Sequence, residues 1–202
     1  MGRPRTLLEI GGAPLHPSPL EQAALVLIDH QREYVDGGIP LMGIDAAVTE
    51  AVRLLGLARR SGMPVFHVVH HGKPGSVLFD PEGPFVEIIQ GLAPAEGETI
   101  VIKSLPNSFA KTDLYELIKA TGRTELIVGG FATHMCVSAT VRAALDLSLR
   151  TTVVAGATAS RDLPNPLGGI VSAERVHEAT LAALADRFAI IVPDTAALIS
   201  HE

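Results

Sequence analysis

The sequence has a single cysteine, Cys136, so no internal disulfide can form and the chain fits a reducing compartment. No apolar run approaches the ~18 residues that a membrane-spanning helix needs. The segment Met1 to Leu20 is polar and proline-bearing and lacks a hydrophobic signal-peptide core, so the expected compartment is the cytoplasm. There is no block of like charge, and the formal net charge is −6; both argue against nucleic acid or an anionic membrane as partner. No internal repeat or low-complexity tract is found. Aromatic residues are scarce at 4%, which leaves Tyr34 and Phe131 as the obvious aromatic candidates for a pocket.

What is present is a globular composition, 47% hydrophobic and 19% charged over 202 residues, enough for one sizeable core. Short apolar, β-branched runs recur at Ala23–Ile28, Pro64–Val69, Thr99–Ile102, Leu126–Gly129, Thr151–Ala155 and Ala189–Val192. They are continuous rather than alternating, as parallel strands covered on both faces should be. Between them, apolar residues at three- and four-residue spacing predict helices over Ile44–Arg60, Thr112–Ala120, Val137–Leu149 and Ala173–Arg187, the last with Ser172 as N-cap. This alternation predicts an α/β fold: a three-layer α/β/α sandwich with a doubly wound, mostly parallel six-stranded sheet of Rossmann-like order. Residues 23–202 read as one domain and residues 1–22 as an arm that packs on a neighbour or stays loose. Residues 70–98 and 157–171 break the alternation and read as irregular loops, a lid or an interface, with a short helix near Phe85–Gln90.

In an open α/β sheet, ligands bind beyond the carboxyl ends of the strands. Polar residues at those ends are Asp29 after the first strand, His67, His70 and His71 at the second, Lys103 after the third and Cys136 after the fourth. Cys136 sits where a strand gives way to a helix, and a helix N-terminus favours a thiolate. On placement alone it reads either as an activated nucleophile or as a small buried hydrophobe. Acid, ammonium and thiol on one rim make a mechanism together: the thiolate attacks a carbonyl carbon, a carboxylate moves the proton, and the ammonium favours both anions. No Gly-x-Gly-x-x-Gly follows the first strand, where the turn is Asp29–His30–Gln31–Arg32, so no nucleotide-binding loop is expected.

Three stretches carry a family resemblance over about Ala23 to Leu198. They are Leu25–Val26–Leu27–Ile28–Asp29–His30–Gln31; Val101–Ile102–Lys103 with Asn107–Ser108–Phe109 and Thr112–Asp113–Leu114; and Gly129–Gly130–Phe131–Ala132–Thr133–His134–Met135–Cys136–Val137. In this order and spacing the chain resembles the isochorismatase-like cysteine hydrolases, which include nicotinamidases and N-carbamoylsarcosine amidase. The resemblance implies a catalytic triad of Asp29 as general acid/base, Lys103 as electrostatic partner and Cys136 as nucleophile. It implies a cis peptide between Phe131 and Ala132, and an oxyanion hole built from the backbone N–H groups of Ala132 and Cys136. Candidate substrate-pocket residues are Gln31, Tyr34, His71 and Phe131, with His70 the alternative to His71. Relatives commonly assemble as dimers, tetramers or larger rings, so a homo-oligomer is expected.

Nicotinamidases of this family hold a metal with an Asp-x-His pair after the second strand and a further histidine. Here that segment is Phe66–His67–Val68–Val69–His70–His71–Gly72, without such a pair. His67 reads as a core histidine, and neither metal nor cofactor is expected. Gly156 stands where relatives often place an acid, and Gly75–Ser76 and Asn107–Ser108–Phe109 read as substrate or subunit contacts, or as ordinary turns. The expected activity is metal-independent cleavage of a C–N bond in a small amide, ureido or carbamoyl compound through a thioester. The alternatives are vinyl-ether hydrolysis of the isochorismatase type and a non-catalytic or redox-sensing oligomeric scaffold.

Overall fold

In the computed structural model, which describes residues 2–199, the chain runs α1 (Leu7–Ile10), β1 (Ala23–Ile28), α2 (Ile44–Ser61), β2 (Val65–His70), β3 (Thr99–Lys103) and α3 (Leu114–Ala120). It continues through β4 (Glu125–Phe131), α4 (Ser138–Asp146), β5 (Arg150–Ala159), β6 (Leu163–Pro164), β7 (Ile170–Val171), α5 (Ala173–Arg187) and β8 (Ile190–Val192). Six strands form one parallel sheet in the order β3-β2-β1-β4-β5-β8, and β6 and β7 make a separate antiparallel pair. This is the doubly wound α/β sheet expected from the sequence. Among the described residues no helix is long and apolar enough to cross a membrane.

Strand periodicity divides the core. Ala24, Val26 and Ile28 of β1, with Phe66 and Val68 of β2 and Val101 of β3, pack against α3, α4 and α5. Ala23, Leu25 and Leu27, with Val65, pack on the opposite face against Leu54, Leu55 and Ala58 of α2. All six residues of β1 are buried, which explains its unbroken apolar run. β1 and β4 lie side by side at the point where the strand order reverses, and the chain leaves both at the same edge.

Two local features aim the chain at that edge. Asp29 has φ 53°, a left-handed conformation that Asp tolerates better than most residues, and it turns the backbone off β1. Gly130 is required for a different reason: a Cβ there would stand 2.5 Å from the Ile28 carbonyl oxygen. The β4–β5 register shifts between Val128 and Gly130, so β4 bends as it ends.

Four expectations are corrected. The helix expected from Val137 is preceded by a π-helical turn over Thr133–Val137, and α4 proper begins at Ser138. No helix forms over Phe85–Gln90: Arg32 and Glu33 donate their N–H groups to Glu87 and Phe85, the segment runs through a turn and bends, and a 3₁₀ turn falls at Gln90–Leu92. Residues 157–171 are not wholly irregular, since β5 continues to Ala159 and β6 and β7 form a hairpin. The arm is not loose over its described residues. Leu7 N donates to Asp186 Oδ1 (2.9 Å), and buried Ser18 N donates to Thr152 Oγ1 (2.8 Å), so its polar groups find partners on the chain's own body.

Candidate active site

Lys103 ends β3 and is 1% exposed, among the largest fully buried side chains in the protein. A buried ammonium must be paired and hydrogen-bonded to be tolerated. Its Nζ donates to Asp29 Oδ2 at 2.7 Å, to Cys136 Sγ at 3.3 Å and approaches His70 Nδ1 at 3.1 Å. An ammonium has three N–H donors, and three acceptors surround it. Asp29 comes from the turn after β1 and Cys136 from the π-helical turn after β4. His70 lies directly opposite Lys103 in the β2–β3 register. The three rim residues singled out by the sequence are thus brought together around one cation.

The electrostatics follow from burial. Burial pushes the Cys136 thiol up to about 12, and the Asp29 charge adds to this while Lys103 opposes it. Asp29 is raised as well, by burial first, against the pull of Lys103 and of the Cys136 thiol. The expectation that the site lowers the thiol pKa is therefore corrected: Cys136 lies on an apolar floor, 4% exposed, and desolvation outweighs the nearby cation. Asp29 and Cys136 interact with each other and with Lys103, so the two titrate as a pair beside the cation. His70, lowered to about 4 by burial and by Lys103, is neutral; with Nδ1 accepting from Lys103, the network assigns its proton to Nε2.

The ligand atoms of Asp29, His70 and Cys136 lie within 4.8 Å of one another, a spacing that could hold a metal ion. Lys103 Nζ already stands within hydrogen-bonding distance of all three residues, so this position carries a positive charge. His67 sits on the α2 face, where its Nε2 pairs with Glu98 Oε2 at 2.8 Å.

The peptide bond between Phe131 and Ala132 is cis. The backbone N–H of Ala132 interacts with the Tyr34 hydroxyl, and Tyr34 also feels the charges of Asp29 and Cys136. The Tyr34 ring packs edge-on against Phe131 (5.9 Å) and Phe79 (5.4 Å), and Phe79 against His70 (4.9 Å). These aromatic rings form a buried cluster beside the site.

Two of the candidate pocket residues, Gln31 and His71, bond to backbone beside the site. Gln31 is fully buried and its amide is spent on backbone: Nε2 donates to the carbonyls of His70 (3.0 Å) and Val86 (2.7 Å), and Oε1 accepts from His70 N (2.8 Å). His71 meets Lys103 through its backbone N–H, which donates to Lys103 O at 2.9 Å; the ring in contact with the ammonium is that of His70. Asn107 and Ser108 serve the fold, Asn107 Oδ1 capping Phe109 N and Ser108 bonding Thr140.

Sequence reasoning missed Phe79 and Glu33. The buried Glu33 carboxylate accepts from Gly38 N (2.6 Å) and Phe79 N (2.9 Å), and so ties two loops over the site. No local pattern announces either residue.

Comparison with known proteins places this geometry. The family model described as Isochorismatase domain matches residues 23–195. The chain is 33% identical over 181 residues to a secreted isochorismatase effector of Verticillium dahliae, covering 90% of this chain and 93% of that protein. It is 32% identical over 147 residues to a maleamate amidohydrolase of Pseudomonas putida, covering 65% of this chain and 69% of that one. A crystal structure of an isochorismatase from Pseudomonas putida KT2440 superposes with TM-score 0.90 at 42% identity, covering 95% of this chain and 97% of its own. The match spans the sheet and every residue around Lys103, and the chain belongs to the isochorismatase family of hydrolases.

Proposed function

We propose that the protein is a metal-independent cysteine hydrolase that cleaves a C–N bond in a small amide, ureido or carbamoyl compound. One observation carries this reading: a single buried ammonium lies 2.7 Å from a carboxylate oxygen and 3.3 Å from a thiol sulfur. In this mechanism Cys136 Sγ attacks the substrate carbonyl carbon while its proton passes to the Asp29 carboxylate. The negative charge leaves Asp29 and appears on the oxyanion, so the buried site never gains net charge. The tetrahedral intermediate collapses, Asp29 returns the proton to the departing nitrogen, and ammonia or amine leaves. Water then cleaves the thioester with Asp29 as base, releasing the acid and restoring the thiol. The N–H groups of Ala132 and Cys136 serve as oxyanion donors. The Tyr34 hydroxyl, which interacts with the Ala132 N–H, gives way to the substrate oxygen. Tyr34, Phe131 and Phe79 pack together beside the site, and an apolar neighbourhood of this kind suits a small, partly apolar acyl group.

A vinyl-ether hydrolase would protonate its substrate and has no need of a thiol. Cys136 against Lys103 favours acyl chemistry, as does the likeness to a maleamate amidohydrolase. Cys136→Ala is expected to abolish ammonia release from a panel of small amides and ureas while folding normally. Retained turnover in that variant, or pyruvate release from isochorismate by the wild type, would remove the proposal.

A further inference from the structure

Lys103 donates to three acceptors, and the chemistry proposed above uses only two of them. The third, His70, is held more firmly than a bystander needs. Its backbone is gripped by both ends of the Gln31 amide, at 2.8 and 3.0 Å. Its ring is packed edge-on by Phe79, with centroids 4.9 Å apart. Its Cα is paired in register with that of Lys103. The motif residue Gln31 thereby gains a purpose: it reaches Lys103 through His70.

We propose that His70 is a positioning residue of this site, accepting the third proton of the Lys103 ammonium and so fixing the cation between Asp29 and Cys136. The inference rests on the hydrolase reading, but its test reads the thiol itself. Without an acceptor at this place, one ammonium proton is left unpaired in a buried setting, and the cation is no longer held against sulfur. The groups facing Cys136 are Asp29, Lys103, His70 and Tyr34; those facing His70 are Lys103, His71, Asp29 and Cys136. Asp29, Lys103 and Tyr34 are unchanged in sequence when His70 is substituted, so a shift in thiol reactivity reports the lost acceptor and the cation it held.

The test is alkylation of Cys136 by iodoacetamide, followed by mass spectrometry from mildly acidic to alkaline pH. The proteins are the full-length wild type, His70→Asn, His70→Gln and His70→Leu. Asn places its Oδ1 close to the position of Nδ1, whereas the acceptor of Gln lies one bond further out. His70→Leu and His70→Gln are expected to shift the rate profile upward by about one pH unit, which is about tenfold slower at neutral pH. His70→Asn is expected to restore the wild-type profile. An unshifted profile in His70→Leu, or equal shifts in His70→Asn and His70→Gln, would overturn the inference. Should His70→Leu fail to fold, the Asn–Gln comparison still decides. Failure of the hydrolase reading would appear separately, as turnover surviving in Cys136→Ala.

Discussion

Replacing Lys103 with methionine removes the cation while keeping most of the side chain's length and apolar stem. Asp29 and Lys103 have fully buried side chains, and among the described residues Asp29 Oδ1 has no hydrogen-bond partner, so the carboxylate loses the ion pair it makes there. Leaving one member of a buried pair charged costs about 3–5 kcal/mol. Asp29 avoids the full penalty by taking a proton. Holding a carboxyl of ordinary value 3.8 neutral at about pH 7 costs roughly 3.2 units at about 1.4 kcal/mol each, a ceiling of about 4 kcal/mol. At about pH 5 the same ceiling is about 1.6 kcal/mol. The sign follows from linkage: a carboxyl raised in the folded state penalises folding above that raised value. The penalty fades as pH falls toward the unfolded value. For a chain of this size these ceilings correspond to losses of about 8–16 °C in Tm at the higher pH and about 3–6 °C at the lower. Urea denaturation of Lys103→Met and wild type at both pH values measures the difference, provided the m-values agree. A deficit under about 1 kcal/mol, or one that does not shrink on acidification, would show that Lys103 does not hold the Asp29 charge.

The pH dependence of kcat/KM should place its acid limb above 3.8, because Asp29 is raised, and should show no inflection at the ordinary thiol value of 9.0, because Cys136 is pushed up to about 12. An inflection near 9 would mean that the thiol titrates independently of Asp29. Glu33→Gln leaves one acceptor where two backbone N–H groups need one each, a cost of about 1–3 kcal/mol; hydrogen exchange at Phe79 and Gly38 should quicken, and unchanged exchange would refute the clamp. Dialysis against a strong chelator should leave turnover unaltered. Loss restored by added metal would contradict the assignment of the central positive charge to Lys103.

The layers were legible because strand cores covered on both faces must be apolar throughout. Ala23–Ile28 is buried at every position and was bounded to the residue. The connections were less legible, since their backbone groups are satisfied by distant partners. The segment near Phe85 has helix-compatible residues, yet the N–H groups of Arg32 and Glu33 need acceptors and take them from Phe85 and Glu87. Likewise Ser18 looks like linker chemistry until Thr152, in β5, is placed beside it. Local pattern reports what a residue prefers, and these segments answer to what their neighbours lack.

The site divides in the same way. Asp29, Lys103 and Cys136 are legible because a parallel sheet sends every strand's carboxyl end to one edge, so polar residues after apolar runs must converge. The choice between His70 and His71 follows from the period of two together with the β2–β3 register, which the fold supplies. Lys103 shares its face with Val101, Val101 pairs with Val68, and His70 shares that face with Val68. With that register in hand, counting from Lys103 selects His70. The electrostatics were not legible, because the helix end beside Cys136 favours a thiolate while burial opposes it, and only the fold tells how much water remains. At 4% exposure desolvation prevails, and a lone thiol so placed would be inert. What makes it useful is the carboxylate in reach of its proton. Transfer from Cys136 to Asp29 beside a stationary ammonium moves charge without creating any, and this is the one ionisation that a buried site permits at little cost.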